Sequence, residues 1–332
     1  LDVADKILEA MRRPFALAGR EFFVTASIGL AMSTSPNDTP ESMTRDADAA
    51  MYVAKGRGRN RLEVFDETIR VRVVRHLEME SDLHRALERG ELRLVYQPAY
   101  ELETDRIVGV EALVRWDHPK RGLVLPGEFI GVAEETGLIM DIGQWTIVEA
   151  CRQARQWRDD GSSPRTLWVN LSARQLASAD LPMIVRDALE RHDLPPGAIG
   201  LELTESALIE EAEAAGSMLR ELEALGVRLA IDDFGTGYSS LLYLQRYHVD
   251  VLKVDRSFVS GLGTNDDDTA ITSAVINLGH NLGMEVSAEG VETPTQLNRL
   301  RELGCDTACG YYLERPTTPE TVTKLLRSSS QN

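Results

Sequence analysis

The sequence lacks the features that would place it in several large classes of protein. Its 332 residues include only three cysteines, Cys151, Cys305 and Cys309, which is too few for a disulfide framework and suits a reducing cytoplasm. Cys305 and Cys309 alone are also too few to hold a metal. No apolar run approaches the roughly 18 residues that a membrane span needs. The opening residues Leu1-Asp2-Val3-Ala4-Asp5 have no initiator Met, basic stretch or apolar core. That is not the pattern of a secretory signal, and it reads as a chain beginning inside a longer protein. Positive charge is scarce: the net charge is −17, which argues against general nucleic-acid binding through a basic face. There is no low-complexity tract and no repeat with a period of about 20–50 residues.

What is present is enough for a packed interior, since 43% of residues are hydrophobic and 27% charged. The length fits two domains, or one large domain with an appendage. The first part reads as a small α/β piece. A helix is expected near 2–13, a strand at Phe22–Met32, a turn-rich stretch at Ser33–Pro40, a helix at 41–56 and a short strand at Leu62–Phe65. Residues 67–89 read as one connecting helix, with Ile69, Val73, Val74, Leu77, Leu83 and Leu87 mostly three or four apart and Gly90 after its end.

From residue 91 short β-rich runs alternate with helical segments. Strands are expected at 92–99, 107–116, 167–172, 199–204, 228–233, 251–255, 285–289 and 308–313. Helices are expected at 127–136, 142–158, 209–225, 238–246, 269–283, 294–303 and 318–327. Eight strands with intervening helices fit a (β/α)8 barrel, with an open doubly wound sheet as the alternative. Only Glu101–Arg106 separates the first two strands, so they should form an antiparallel hairpin.

In such a barrel the reactive side chains gather at the C-terminal ends of the strands. Those ends carry Glu111, Asn170, Glu202, Glu205, Asp232, Asp233, Lys253, Asp255 and Glu289. One acid on a strand is ordinarily a solvated face. Acids on four strands at equivalent ends are different, because buried charges are costly unless paired or metal-bound. Glu111, Asn170, Glu202 and Asp232 could converge on one hard cation through oxygen, which suits Mg2+ or Mn2+. Asp232 could bridge to a second ion with Asp233 as its further ligand, and two metals about 4 Å apart serve phosphodiester hydrolysis. Lys253 could pair with a barrel carboxylate or help deprotonate a nucleophilic water. Arg115 could grip a phosphate or a guanine edge, or form a surface ion pair. The Gly-rich stretch Asp233–Ser240 reads as a mobile lid.

These residues closely resemble the EAL family of cyclic di-GMP phosphodiesterases over about residues 85–320. The motifs are Tyr96-Gln97-Pro98, Glu111-Ala112-Leu113-Val114-Arg115, Val169-Asn170-Leu171-Ser172, Glu202-Leu203-Thr204-Glu205, Asp232-Asp233-Phe234-Gly235-Thr236-Gly237, Lys253-Val254-Asp255 and Ala288-Glu289-Gly290-Val291-Glu292. The resemblance implies a TIM-like barrel with an antiparallel first strand and opening of one phosphodiester bond to give linear pGpG. It implies Glu111, Asn170, Glu202 and Asp232 as ligands of a first Mg2+ or Mn2+, and Asp233 as ligand of a second, bridged by Asp232. Glu289 follows as a second-metal ligand or general base, and Lys253 as partner of the attacking water. Gln97, Leu113 and Arg115 would contact substrate, and Glu205 would anchor the Asp233–Ser240 loop. Cys309 stands where the family usually carries a Gln associated with the site. A receptor that binds cyclic di-GMP without cleaving it is the alternative function, and a homodimer is implied in either case.

The first 66 residues resemble the second half of a GGDEF domain, through Thr25-Ala26-Ser27-Ile28-Gly29, Ala47-Asp48-Ala49-Ala50-Met51-Tyr52-Val53-Ala54-Lys55 and Gly58-Arg59-Asn60-Arg61. The signature that names that domain is not in this sequence, so the chain as it stands is not expected to be a diguanylate cyclase. The expected organisation is therefore a GGDEF-like fragment at 1–66, a connecting helix at 67–89 and an EAL barrel at 85–325.

Overall fold

A computed structural model describes residues 2–17, 20–33, 37–56, 58–210, 212–235 and 247–329. The chain divides into two compact units, Leu1–Leu83 and His84–Asn332. Among the described residues no helix is long and apolar enough to cross a membrane.

In the first unit a parallel pair, Ile28–Leu30 with Leu62–Val64, carries the helix Pro40–Gly56. Ala50, Val53 and Ile69 form its small core. Gly29 is required by close approach: a Cβ there would lie 1.9 Å from the Ala47 carbonyl oxygen and 2.3 Å from the Met51 nitrogen. The single strand expected at Phe22–Met32 is instead two short ones. Arg20–Phe22 pairs with Phe15–Leu17, and Ile28–Leu30 pairs elsewhere. Residues 23–27 are rich in strand formers but have no ladder partner among the described residues.

The helix Glu67–Ala86 precedes the barrel, and Gly90 then turns the chain with φ +64°. The barrel strands are β1 (Leu92–Glu101), β2 (Ile107–His118), β3 (Thr166–Leu171), β4 (Ile199–Thr204), β5 (Arg228–Phe234), β6 (Val251–Val254), β7 (Glu285–Ala288) and β8 (Thr307–Ala308). Strands β2 to β8 pair in sequence, β2 running parallel to β3 and so on round to β8, and β1 closes the ring between β8 and β2. It is antiparallel to both neighbours. The hairpin and the closed TIM-like barrel expected from the sequence are therefore present, and the open sheet is not.

The last strand is shorter than the expected 308–313. Beyond Ala308 the backbone donors leave the ladder: Leu313 and Glu314 both donate to the Gly310 carbonyl, and Tyr312 donates to Val291. These donors are spent in turns, so the β-rich composition there builds no ladder. The helix expected at 209–225 starts earlier, as Glu205–Glu210 and then Ala212–Ala224. The helix expected at 238–246 and most of the proposed lid lie outside the described residues. Among the described residues, the α-helices Ala173–Leu176, Leu181–Arg191 and Arg256–Ser260 and the short 3-10 helix Pro196–Ala198 were not expected.

Trp168 on β3 fills the barrel interior beside Ala230 and Val251. Two glycines make room for it. A Cβ at Gly200 would lie 2.2 Å from the indole ring, and one at Gly109 would lie 3.2 Å from its nitrogen. Below the indole, Arg165 and Arg228 both bind Glu285, and the Arg228 guanidinium sits 5.4 Å from the Trp168 ring. The N-terminal end of the barrel is thus closed by packing and ion pairs. Open polar chemistry is left to the other end.

Candidate active site

Lys253 is the centre of that other end. β6 directs it inward, where it is 5% exposed. Its ammonium lies 2.9 Å from Glu202, 3.4 Å from Asp232 and 3.9 Å from Glu111, and it also contacts Glu289. Burial pushes its pKa down, but these four carboxylates outweigh that and hold it well above the ordinary lysine value. Four acids around one cation leave an excess of negative charge. The acids respond accordingly: burial drives the Glu202 carboxyl well above its usual range. Burial likewise takes Glu289 up to about 8, with Asp232 and Glu111 adding to it against the pull of Lys253.

The register brings the other site residues to the same level. Gln97 on β1 lies opposite Glu111 on β2, and Asn170 on β3 lies beside Glu202 on β4. The Asn170 amide donates to Glu111 at 2.7 Å. Gln97 donates to the Glu314 carbonyl at 3.0 Å, which leaves its amide oxygen for other partners.

Asp232 and Asp233 are neighbours in sequence, and a regular strand would point them to opposite faces. Asp233 has φ +56°, and the β5–β6 ladder shifts register between Ile231 and Phe234. This break in the pleat turns both carboxylates to one side. Oxygens of Asp232, Asp233 and Glu289 come within 4.8 Å of one another. Burial raises the Asp233 carboxyl to about 6, helped by the charges of Asp232 and Asp255. Asp255 shares a hydrogen bond with Asp233 and also caps the helix Arg256–Ser260 by accepting from the Ser257 amide at 2.9 Å.

Glu205 accepts from the Gly235 amide at 3.1 Å, so it holds the first glycine of the glycine-rich stretch. Arg115 is half-buried and bonds back to the Val114 carbonyl at 2.8 Å, within reach of the Glu111 charge. Leu113 lines a cavity of about 400 Å³ with Ile130, Glu134, Ile139 and Asn170. Its walls are mainly apolar, and through Asn170 it adjoins the carboxylate group.

Whether these residues suit divalent cations can be judged from the polar atoms they leave over. Glu202 Oε2, Glu289 Oε1 and Lys253 Nζ are buried and have no partner in hydrogen-bond geometry, although they stand in ionic contact. Buried acids in this condition are costly without further positive charge. An all-oxygen set of carboxylates and one amide is the donor chemistry of Mg2+ or Mn2+. The residues fit.

The sequence reading missed two participants. Trp168, the floor of the site, gave no signal beyond two strand glycines. Asp255 was part of a motif but had no role assigned.

The sequence matches the EAL domain over residues 80–316 and the diguanylate cyclase GGDEF domain over residues 1–61. It is 44% identical over 318 residues to the bifunctional diguanylate cyclase/cyclic di-GMP phosphodiesterase MucR of Pseudomonas aeruginosa, covering 96% of this chain and 46% of that protein. It is 39% identical over 326 residues to the cyclic di-GMP phosphodiesterase NbdA of the same organism, covering 98% of this chain and 42% of that one. The chain thus spans less than half the length of these curated relatives. Among solved structures, the MucR phosphodiesterase in complex with cyclic di-GMP matches with a TM-score of 0.72 and 48% identity, over 74% of this chain and 99% of that one. The FimX EAL domain from Pseudomonas aeruginosa bound to cyclic di-GMP matches with a TM-score of 0.67 and 27% identity, over 72% and 96%.

Proposed function

Because the chain belongs to the EAL domain family, we propose that its barrel hydrolyses cyclic di-GMP to linear pGpG with the help of two Mg2+ or Mn2+ ions. The observation that carries this is the group of four carboxylates around the single ammonium of Lys253, with buried oxygens still lacking hydrogen bonds.

Glu111, Asn170, Glu202 and Asp232 would hold the first ion. Asp233, with Asp232 and Glu289 beside it, would hold the second. Bound there, the cations supply a strong water-derived nucleophile at neutral pH and draw off charge from the phosphate oxygens. Lys253 orients the attacking water. Glu289 is either a ligand of the second ion or the general base that takes the proton the water gives up. A P–O bond forms from the water oxygen, one ester P–O bond breaks, and the leaving oxygen takes a proton. Gln97 and Arg115 hold the dinucleotide, Leu113 and its apolar cavity seat a base, and Glu205 steadies the loop that follows Asp233. The protein acts in the cytoplasm, as a homodimer; a monomer mass independent of concentration would argue against the dimer.

Glu111→Ala tests the assignment. Losing a direct ligand should cost turnover on the order of 100-fold or more, since even outer partners of a metal are worth roughly 10–100-fold. The circular dichroism spectrum should be kept. Undiminished hydrolysis by the clean variant would overturn the ligand set.

A receptor that binds the dinucleotide without cleaving it is a second reading. Cys309 favours it, standing in the site where the family usually carries Gln. Calorimetry showing tight binding beside no product, with both cations tried, would select it.

A further inference from the structure

The three cysteines differ in their surroundings. Cys305 donates its thiol to the Val286 and Thr307 carbonyls, and Cys151 is buried in the apolar core. Cys309 is only 7% exposed, yet among the described residues its thiol has no hydrogen-bond partner. β8 delivers it to the catalytic end of the barrel, where Cys309 Sγ and carboxylate oxygens of Glu111 and Glu289 lie within 4.8 Å of one another. The sequence suggested no metal role for the cysteines, because Cys305 and Cys309 alone are too few. The fold separates those two and gives Cys309 two carboxylates instead.

We propose that Cys309, Glu111 and Glu289 form a binding site for a softer divalent cation, Zn2+, that overlaps and blocks the site for Mg2+ or Mn2+. The inhibition rests on the hydrolytic reading above; the binding does not.

The chemistry follows from the donors. Mg2+ prefers oxygen, whereas Zn2+ takes thiolate and carboxylate together in a four-coordinate shell. With Zn–S near 2.3 Å and Zn–O near 2.1 Å, such donors stand about 3.6 Å apart. The three atoms therefore need to draw in by at most about 1.2 Å, within reach of side-chain rotation. Without a cation the thiol stays neutral, because burial and the charges of Glu289 and Glu111 oppose its ionisation. When the cation binds, the S–H bond gives its proton to solvent and the sulfur lone pair binds the metal. Lys253, displaced from Glu111 and Glu289, keeps Glu202 at 2.9 Å and Asp232 at 3.4 Å as partners. The fourth position on the cation is open to water. Glu111 and Glu289 are then no longer available to the catalytic ions.

The full chain, titrated with Co2+ as a spectroscopic stand-in for Zn2+, provides the test. The wild type should develop a near-ultraviolet sulfur-to-cobalt charge-transfer band, and Cys309→Ser should bind without it. Zn2+ alone, followed by calorimetry, should bind Cys309→Ser at least about tenfold more weakly than wild type. Cobalt binding without the band in wild type, or a band that survives in Cys309→Ser, would overturn the proposal. Should that variant fail to fold, zinc-edge X-ray absorption of the wild type decides. A sulfur scatterer near 2.3 Å is expected, and a shell of oxygen and nitrogen only would contradict it. These readouts use no substrate, so their failure leaves the hydrolytic reading standing, and failure of the Glu111→Ala assay leaves them intact.

Discussion

Asp233 holds φ +56°, a conformation that costs a residue with a side chain roughly 1–2 kcal/mol, though less for Asp than for most. The same twist turns its carboxylate toward Asp232 and Glu289. Asp233→Gly should therefore leave the metal-free fold unchanged to within about 1 kcal/mol, because glycine accepts that angle and one repelling charge is gone. Binding of Mn2+ should weaken. A large loss of melting temperature without metal would contradict this. The raised carboxyls give a second expectation. The Glu289 carboxyl is favoured neutral in the fold up to about pH 8. Its contribution to stability is present below the ordinary glutamate range and lost as the pH rises through about 8. Metal-free protein should thus melt at lower temperature near pH 8 than near pH 5, and Mg2+ or Mn2+ should reverse the trend. A melting temperature that rises over that span without metal would contradict it. At this scale the sequence was informative about identity and silent about geometry. It paired Asp232 with Asp233, but only the broken register explains how both reach one side.

At the scale of elements, the barrel depends on Trp168 fitting between β2 and β4. Gly200→Ala places a Cβ 2.2 Å from the indole, so the ring or the strand must move. The expected cost is about 1–3 kcal/mol in chemical denaturation. An unchanged midpoint would show that the indole is not held there. The strand ends were legible because apolar runs stop at charged residues: β4 runs from Ile199 into Thr204 and β6 ends at Val254, just before Asp255. The hairpin was legible because too few residues separate β1 from β2 for a crossover. The plug was not legible, since a glycine in a strand carries no mark of what fills its space. Nor was the end of β8, where Leu313 and Glu314 donate locally to Gly310 and Tyr312 donates to Val291, far off in sequence. The short helices at Ala173–Leu176 and Arg256–Ser260 escaped because each is barely one turn, defined by caps at Ser172 and Asp255 more than by apolar period.

For the whole molecule, one end of the barrel is closed by Trp168 with Arg165, Arg228 and Glu285, and the other gathers carboxylates, one lysine and a thiol. Such a division suits an enzyme whose cations and substrate enter from a single side. Within the compact unit Leu1–Leu83, residues 1–61 match the GGDEF domain. The site described lies wholly within the second unit. The measurement that bears most directly on this account is incubation of the purified chain with cyclic di-GMP in the presence of Mg2+, of Mn2+ and of a chelator, with the products resolved by chromatography. Linear pGpG formed with either cation and abolished by the chelator is the predicted result. Bound but uncleaved cyclic di-GMP under every condition would contradict it and leave the barrel as a receptor.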